Sequence, residues 1–204
     1  EGIVVTYLPD YCVDEVSDHV MALLLTWNRQ IGFYNGVAKE GRWSGVSSPA
    51  PLVRLRGRKL GIAGLGRIGR AVAVKAQAFG LEVSAHDPYL PAGISPPSDV
   101  RMVDLPTLLA ESDYITLHTP LNEETLGYIG AGEFAMMKPS AFIINCARGP
   151  IIDEDALYAA LRDGQIGGAG LDVMEQAAPP AGHPLFALDN VLITPHVAFL
   201  SQQS

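Results

Sequence analysis

The sequence is poor in cysteine, in positive charge and in long hydrophobic runs. Its two cysteines, Cys12 and Cys146, lie far apart and lack the paired spacing of a metal site. Such sparse cysteines are typical of a reduced, cytoplasmic protein without a disulfide. No apolar run approaches the ~20 residues that a membrane-spanning helix needs, and Glu1 opens the chain without the features of a signal peptide. These absences predict a cytoplasmic protein that does not enter a membrane.

Positive charge is also scarce, because 14 Lys and Arg face 22 Asp and Glu, for a net charge of −8. No basic patch is present, which argues against binding to nucleic acid or to anionic membrane surfaces. The histidines are scattered and form no HExxH pair, and no GxSxG segment occurs. A metal hydrolase and a serine hydrolase are therefore both set aside.

The run 59–70, KLGIAGLGRIGR, is the most informative feature that is present. It predicts a strand, a glycine turn and the start of a helix, which is the order that a dinucleotide-binding site needs. Gly64 allows a sharp turn, Gly66 lets the backbone approach a pyrophosphate, and Gly69 lets the helix lie close to the strand. The helix N-terminus, with Arg67 and Ile68, would then face the phosphates.

An acid follows the next predicted strand, residues 82–86, at Asp87. A carboxylate there can accept hydrogen bonds from a ribose diol and would repel a 2′-phosphate. The pattern therefore predicts that the cofactor is NAD rather than NADP. A glycine turn without a ligand is the alternative, but the apolar strand before the turn and the helix-forming residues 71–79 after it argue against that alternative.

Strand and helix patterns alternate along the rest of the chain. Strands are predicted at 100–103, 114–118, 141–146, 169–173 and 191–194, and helices at 105–110, 131–137 and 154–162. This alternation predicts an α/β fold with a doubly wound parallel sheet, and we assign residues 1–204 to one dinucleotide-binding domain. A further short β-branched run occupies residues 3–6.

The segment before the glycine turn has a different character. Apolar residues recur at helical spacing over residues 13–31, and Gly32 is expected to end that helix. Residues 36–51 are predicted to form an irregular arm that carries Trp43. The apolar stripe on the helix is wider than one sheet face needs, so residues 13–51 are predicted to pair two copies into a homodimer. Burial within the domain is the alternative.

Polar residues follow several of the strands, at the edge where a parallel sheet binds its ligands. Arg148 could hold a carboxylate, or it could form a structural ion pair. His196 could exchange a proton, or it could be a loop histidine with no chemical role. Asp172 could orient the nicotinamide or an imidazole, or it could cap a strand end. Hydride transfer to a 2-keto acid needs a cation and an acid/base, and Arg148 with His196 would provide this pair.

Taken together, these motifs resemble the D-isomer-specific 2-hydroxyacid dehydrogenase family. The matching stretches are residues 61–69, 145–149 with 152–154, 169–173, and 190–196, in the family's order. Residues 75–80, 87–90 and 194–196, the last followed by 201–204, are similar to the C-terminal-binding-protein branch, which includes NAD(H)-sensing corepressors. The resemblance implies a nucleotide domain inserted in a substrate domain, with the substrate lobe and the closing helix outside this sequence.

The same resemblance implies roles for particular residues. Arg148 would bind a 2-hydroxy or 2-keto acid substrate, and His196 would be the acid/base. Asp172 would lie beside the nicotinamide. In addition to the glycine-turn residues, the cofactor-binding set would be Thr119, Pro120, Cys146, Ala147, Arg148, Asp172 and His196. The family places a glutamate that contacts the catalytic histidine five residues after the aspartate, and here that position is Ala177.

Two functions remain open from the sequence. The first is an NAD-dependent oxidoreductase that transfers a hydride between the nicotinamide and C2 of the acid. The second is an NAD(H)-sensing dimer with weak chemistry, which the alanine at position 177 favours. Slow turnover is one expected result of that alanine, and replacement of the missing glutamate by Glu175 is another.

Overall fold

The computed structural model describes residues 2, 11–90 and 95–203. The β-branched run at residues 3–6 lies outside the described residues. The helices are α1 Val13–Arg29, α2 Ile31–Lys39, α3 Arg67–Ala78, α4 Leu105–Glu111, α5 Ala131–Met136 and α6 Glu154–Arg162. The strands are β1 Lys59–Ala63, β2 Glu82–His86, β3 Val100–Met102, β4 Tyr114–Leu117, β5 Phe142–Asn145, β6 Gly168–Leu171 and β7 Val191–Ile193.

The described strands form one seven-stranded sheet in the order β3-β2-β1-β4-β5-β6-β7. Every neighbouring pair is parallel. The chain builds outward from β1 to β3 and then returns to the other side of β1 with β4. The carboxyl ends of β1 and β4 therefore flank the point where the winding reverses, which is where such sheets bind nucleotides. The predicted doubly wound α/β fold is confirmed.

A hydrophobic core lies on each face of the sheet. On one face, α1 and α3 pack on β1 and β5 through buried residues that include Val20, Leu24, Val72 and Phe142. On the other face, Leu108, Phe134 and Leu157 bring α4, α5 and α6 against the sheet. Burial on both faces explains why the strands read as apolar runs without polar alternation.

The N-terminal helix ends earlier than its apolar pattern predicts. Gln30 adopts a left-handed conformation with φ of 51°, and α2 begins at the next residue and continues through Gly32. The Gln30 side-chain amide donates to the carbonyl of Trp27 at 2.7 Å and fixes the break. The prediction that Gly32 ends the helix is therefore wrong, and the irregular arm begins after Lys39 instead of at residue 36.

The apolar stripe of α1 is used inside the domain. Its residues Val16, Val20, Met21, Leu23 and Leu24 are buried against α3 and the sheet. The stripe is therefore no evidence of a dimer. The exposed apolar side chains of this region lie on α2 and the arm, where Ile31 is 54% exposed, Trp43 88% and Leu52 42%.

Three further features of the described residues bear on function. Both cysteines are free. Within residues 11–90 and 95–203, no helix has the length and apolarity to cross a bilayer. In the same part of the chain, no group of three His, Cys, Asp or Glu residues could hold a metal ion.

Candidate active site at the carboxyl edge of the sheet

The glycine turn after β1 packs closely against the loop that follows β4. Gly64 has φ of +94°, and a Cβ there would lie 2.7 Å from the carbonyl carbon of His118. A Cβ on Gly69 would lie 2.3 Å from the carbonyl oxygen of Gly64. Gly66 is the N-cap of α3 and is exposed. Glycine is thus required at positions 64 and 69, because a side chain there would clash with neighbouring backbone. Gly66 leaves the backbone open to a ligand at the helix N-terminus.

A cleft of about 950 Å³ opens beside this turn. The loops after β1, β2 and β4 form its walls, with Gly64, Gly66, Arg67, Asp87, Thr119 and Pro120 among the lining residues. The structure thus brings these predicted residues together. Gly69 lies buried beneath the turn, while Ile68 lines an adjoining cavity.

Asp87 is fixed at the mouth of the turn by two backbone groups. Its Oδ2 accepts from the Leu65 N–H at 2.8 Å, and its Oδ1 accepts from the Tyr89 N–H at 2.9 Å. Each carboxylate oxygen retains a second lone pair that can accept a ribose hydroxyl. The side chain is therefore oriented in advance for the role that the sequence predicts.

The loop after β4 contains a polar group that suits a cofactor. The Thr119 hydroxyl is buried and has no hydrogen-bond partner among the described residues, although it lies on the cleft wall. Next to it, burial lowers the pKa of His118 to about 4, so its imidazole is neutral at pH 7. An unpartnered hydroxyl beside a glycine cradle fits a dinucleotide, which is rich in hydroxyl and phosphate oxygens.

The predicted catalytic residues meet further along the same edge. Arg148, Asp172 and His196 all line a cavity of about 420 Å³ and also its neighbour of about 590 Å³. The neighbour is lined in addition by Ile68, Thr119, Pro120, Cys146 and Ala147. Thr119 and Pro120 line both this neighbour and the large cleft, so the predicted cofactor residues are continuous with the predicted substrate residues.

Buried Asn145 shapes the turn that presents Arg148. Its Nδ2 donates to the Arg148 carbonyl at 2.9 Å, and its Oδ1 accepts from the Ala147 N–H at 3.0 Å. Gly149 follows, where a Cβ would lie 1.9 Å from the Met174 carbonyl oxygen. The Arg148 guanidinium is exposed, donates to the Ala147 carbonyl and forms no ion pair among the described residues. The alternative of a structural ion pair therefore has no support here, and the guanidinium can bind an anion.

Asp172 is a structural acid in this arrangement. It is 2% exposed, and its Oδ1 accepts from the Thr194 hydroxyl at 2.6 Å and the Val197 N–H at 2.9 Å. Its Oδ2 accepts from the Ala198 N–H at 2.9 Å. These contacts are those of a residue that caps the end of a strand, which is the alternative role considered for Asp172. Its expected position beside a nicotinamide stays a prediction.

The turn capped by Asp172 carries His196. That residue has φ of +54°, and its N–H donates to the Asp172 carbonyl at 2.9 Å. The residue is exposed, and its imidazole packs edge-to-face with the ring of Phe199 at a centroid distance of 5.7 Å. Among residues 11–90 and 95–203, no acid hydrogen-bonds this imidazole, so it is free to contact a substrate.

Ala177 lies on an exposed loop that lines the same cavity as Arg148 and His196. Glu154 anchors that loop, because it accepts the Glu175 N–H at 2.6 Å and lies 3.4 Å from the Nε2 of His183. The side chain of Glu175 also lines the cavity but makes no hydrogen bond to His196. The expected replacement of the missing glutamate by Glu175 is therefore not formed in this structure.

Three residues that support this site were assigned no role from the sequence. Asn145 and Glu154 shape the turns, and His19 on α1 reaches Thr194 beside the turn that carries His196. The contacts of Asn145 are local, whereas those of Glu154 and His19 join residues far apart in the chain, which no local spacing indicates.

Comparisons with known proteins identify the family of this chain. A family model described as D-isomer specific 2-hydroxyacid dehydrogenase, NAD binding domain, matches residues 21–198. D-3-phosphoglycerate dehydrogenase of Archaeoglobus fulgidus is 40% identical over 100% of this chain and 38% of its own length. Glyoxylate reductase of Korarchaeum cryptofilum is 39% identical over 100% of this chain and 62% of its own. The chain therefore belongs to the D-isomer specific 2-hydroxyacid dehydrogenase family and contains that family's NAD-binding domain.

A solved structure supports the same assignment. D-lactate dehydrogenase of Aquifex aeolicus, crystallised with NAD and lactic acid, superposes with a TM-score of 0.89 at 33% identity and covers 99% of this chain and 65% of that one. The chain thus spans between 38% and 65% of the length of these relatives. The family resemblance is confirmed, whereas the likeness to the C-terminal-binding-protein branch stays a prediction.

Proposed function

We propose that the protein is an NAD-dependent oxidoreductase that interconverts a D-2-hydroxy acid and its 2-keto acid. The observation that carries the proposal is the shared cavity of Arg148 and His196, which adjoins the glycine-turn cleft through Thr119 and Pro120. Its two free cysteines are consistent with a cytoplasmic enzyme. The names of the relatives, which include phosphoglycerate, glyoxylate and hydroxypyruvate enzymes, define the class of substrate to be tested.

The residues of the chain divide the proposed chemistry between them. NADH, when bound, supplies the hydride that is added at C2 of the keto acid. Arg148 holds the substrate carboxylate with its guanidinium fork and polarises the carbonyl. His196 donates a proton to the carbonyl oxygen during reduction and accepts it back during oxidation. The proton and the hydride together complete the hydroxy acid.

A second candidate function has one observation in its favour. Ala177 stands where the family has a glutamate, and no acid supports the His196 imidazole among the described residues. A protein of weak chemistry that binds NAD(H) and signals through association would tolerate this substitution. The rate of turnover separates the two candidates.

The first prediction tests the function itself. The full-length protein is expected to oxidise NADH in the presence of glyoxylate, hydroxypyruvate or pyruvate, as followed by absorbance. Arg148→Lys keeps the charge but loses the bidentate fork, so kcat/KM should fall about 100-fold, equivalent to roughly 2–3 kcal/mol. Affinity for NADH should stay near wild type. Collapse of NADH binding would make Arg148 a cofactor or structural residue, and the absence of turnover with every 2-keto acid would refute the proposed reaction.

The second prediction concerns the cofactor preference. Calorimetry should show tighter binding of NADH than of NADPH, because Asp87 lies fixed beside the glycine turn, where we expect the ribose diol to bind. Asp87→Ser removes the charge that repels a 2′-phosphate and should narrow the ratio of the two affinities about tenfold. Asp189→Asn removes one charge from an exposed position outside the cleft and should leave the ratio unchanged. Equal binding of both cofactors by the wild type would contradict the prediction.

The third prediction concerns the missing glutamate. A carboxylate beside His196 stabilises its imidazolium, so Ala177→Glu should raise the kcat of reduction about tenfold. The same change should extend the pH range of high kcat to more basic values. Ala178→Glu adds the same charge one residue later and is the control. The test is to measure kcat of the wild type and of both variants from pH 5 to 9. Fast wild-type turnover that Ala177→Glu leaves unchanged would show that the family's glutamate is dispensable here.

The fourth prediction concerns a homodimer, which we propose is formed through α2 and the arm. Ile31 and Trp43, with Leu52 just after the arm, expose apolar surface, and tryptophan is enriched among the residues that contribute most binding energy at interfaces. Light scattering of the full-length protein at tens of micromolar should give the mass of two copies. Trp43→Asp should weaken the dimer, while Leu126→Asp, at an exposed leucine elsewhere, should not. A monomer at that concentration would refute the proposal.

A further inference from the structure

His19 connects α1 to the turn that carries His196. Its Nε2 lies 2.9 Å from the Thr194 Oγ1 and 3.6 Å from the Asp172 Oδ1. The side chain of His19 is only 21% exposed and that of Asp172 is 1% exposed. A polar contact this close, between residues far apart in the chain, fixes the position of one element relative to the other.

The directions of the hydrogen bonds in this contact can be assigned. Thr194 has a single hydroxyl proton, which it donates to the Asp172 Oδ1 at 2.6 Å. Its oxygen must therefore accept from His19, which places a proton on the Nε2 of His19. The chain of donors runs from His19 through Thr194 to Asp172, and consecutive bonds aligned in this way strengthen one another.

The same carboxylate holds the rest of the turn. The N–H groups of Val197 and Ala198 donate to the side chain of Asp172, and the N–H of His196 donates to its carbonyl. His196 sits in a left-handed conformation between these bonds. Asp172 thus holds the backbone on both sides of the His196 side chain.

A second contact joins α1 to the chain beyond the turn. Glu15, one helical turn before His19, accepts from the Ser201 hydroxyl at 2.7 Å. One face of α1 therefore supports the catalytic turn on both sides of His196.

We propose that His19 is a positioning residue for the acid/base His196, acting through the Thr194 hydroxyl and the Asp172 carboxylate. His19 itself touches neither the glycine-turn cleft nor the cavities lined by Arg148. Its contribution is to hold one rotamer of Thr194, and with it one orientation of the carboxylate that shapes the turn. The kinetic consequence of this inference rests on the proposed oxidoreductase function, but its structural consequence does not.

Two variants of similar size separate this role from simple packing. His19→Leu fills the site with an apolar side chain and removes the donor. His19→Gln keeps an N–H donor that can reach Thr194. If His19 matters only by filling space, the two variants should behave alike.

The fifth prediction is measured by hydrogen–deuterium exchange of the full-length protein, on peptides that cover residues 191–203. The amides of Val197 and Ala198 should exchange about ten times faster in His19→Leu and near the wild-type rate in His19→Gln. Thr194→Val should loosen the same amides, and adding His19→Leu to it should have no further effect. Unchanged exchange in His19→Leu, equal exchange in the two His19 variants, or additive effects with Thr194→Val would each overturn the inference.

The steady-state kinetics of the His19 variants should follow the same pattern as their amide exchange. The kcat for reduction of a 2-keto acid should fall about tenfold in His19→Leu, with the KM for NADH unchanged and with rescue in His19→Gln. A wild-type protein without turnover would refute the proposed function and leave the exchange measurement to decide the inference. If His19→Leu does not fold, His19→Gln and Thr194→Val still test the inference. Wild-type exchange rates of the Val197 and Ala198 amides in Thr194→Val, or faster exchange in His19→Gln, would overturn it.

Discussion

Parallel pairing of every described strand is the constraint on which the site depends. Because all seven strands run in one direction, each of their carboxyl ends meets the same edge of the sheet. Residues far apart in the chain, such as Gly64 and His196, therefore come to one edge of the sheet. A single antiparallel strand in the middle of this sheet would move one of these loops to the opposite edge.

The two halves of this edge are held by different physical means. The glycine-turn half depends on close backbone approach, because the Cβ positions of Gly64 and Gly69 are already filled by neighbouring backbone. The half that carries Arg148 and His196 depends on buried polar side chains, since Asn145 and Asp172 each satisfy backbone groups of the turn that they shape. Leaving one such buried group unpaired costs about 1–3 kcal/mol, so these turns have little freedom to rearrange. The exposed guanidinium of Arg148 and imidazole of His196 stand on these rigid turns.

The sequence was sufficient for the fold because its signals are local. The glycine turn at 64–69 and the apolar strands predicted the sheet, and most strand and helix ends agree with the prediction within a residue or two. The break at Gln30 was missed because it depends on that side chain's own bond to Trp27, and glutamine carries no helix-ending signal. For Asp172 the sequence offered capping only as one of two alternatives, and the contact of His19 was missed because it joins α1 to the last turn. Such contacts depend on tertiary packing, which no spacing within one segment encodes.

The position of Ala177 shows how this architecture permits change at one point of the site. Glu154 holds the loop through the Glu175 N–H and His183, so the path of the loop does not depend on the side chain at 177. The turn that carries His196 is held separately by Asp172. An alanine can therefore replace the family's glutamate without disturbing either support. Under the proposed mechanism, what it would remove is the electrostatic support of the imidazolium, while the glycine-turn cleft and Arg148 stay in place. On that proposal the substitution would act on proton transfer alone, which is the step that distinguishes a fast dehydrogenase from a protein that only binds NAD(H).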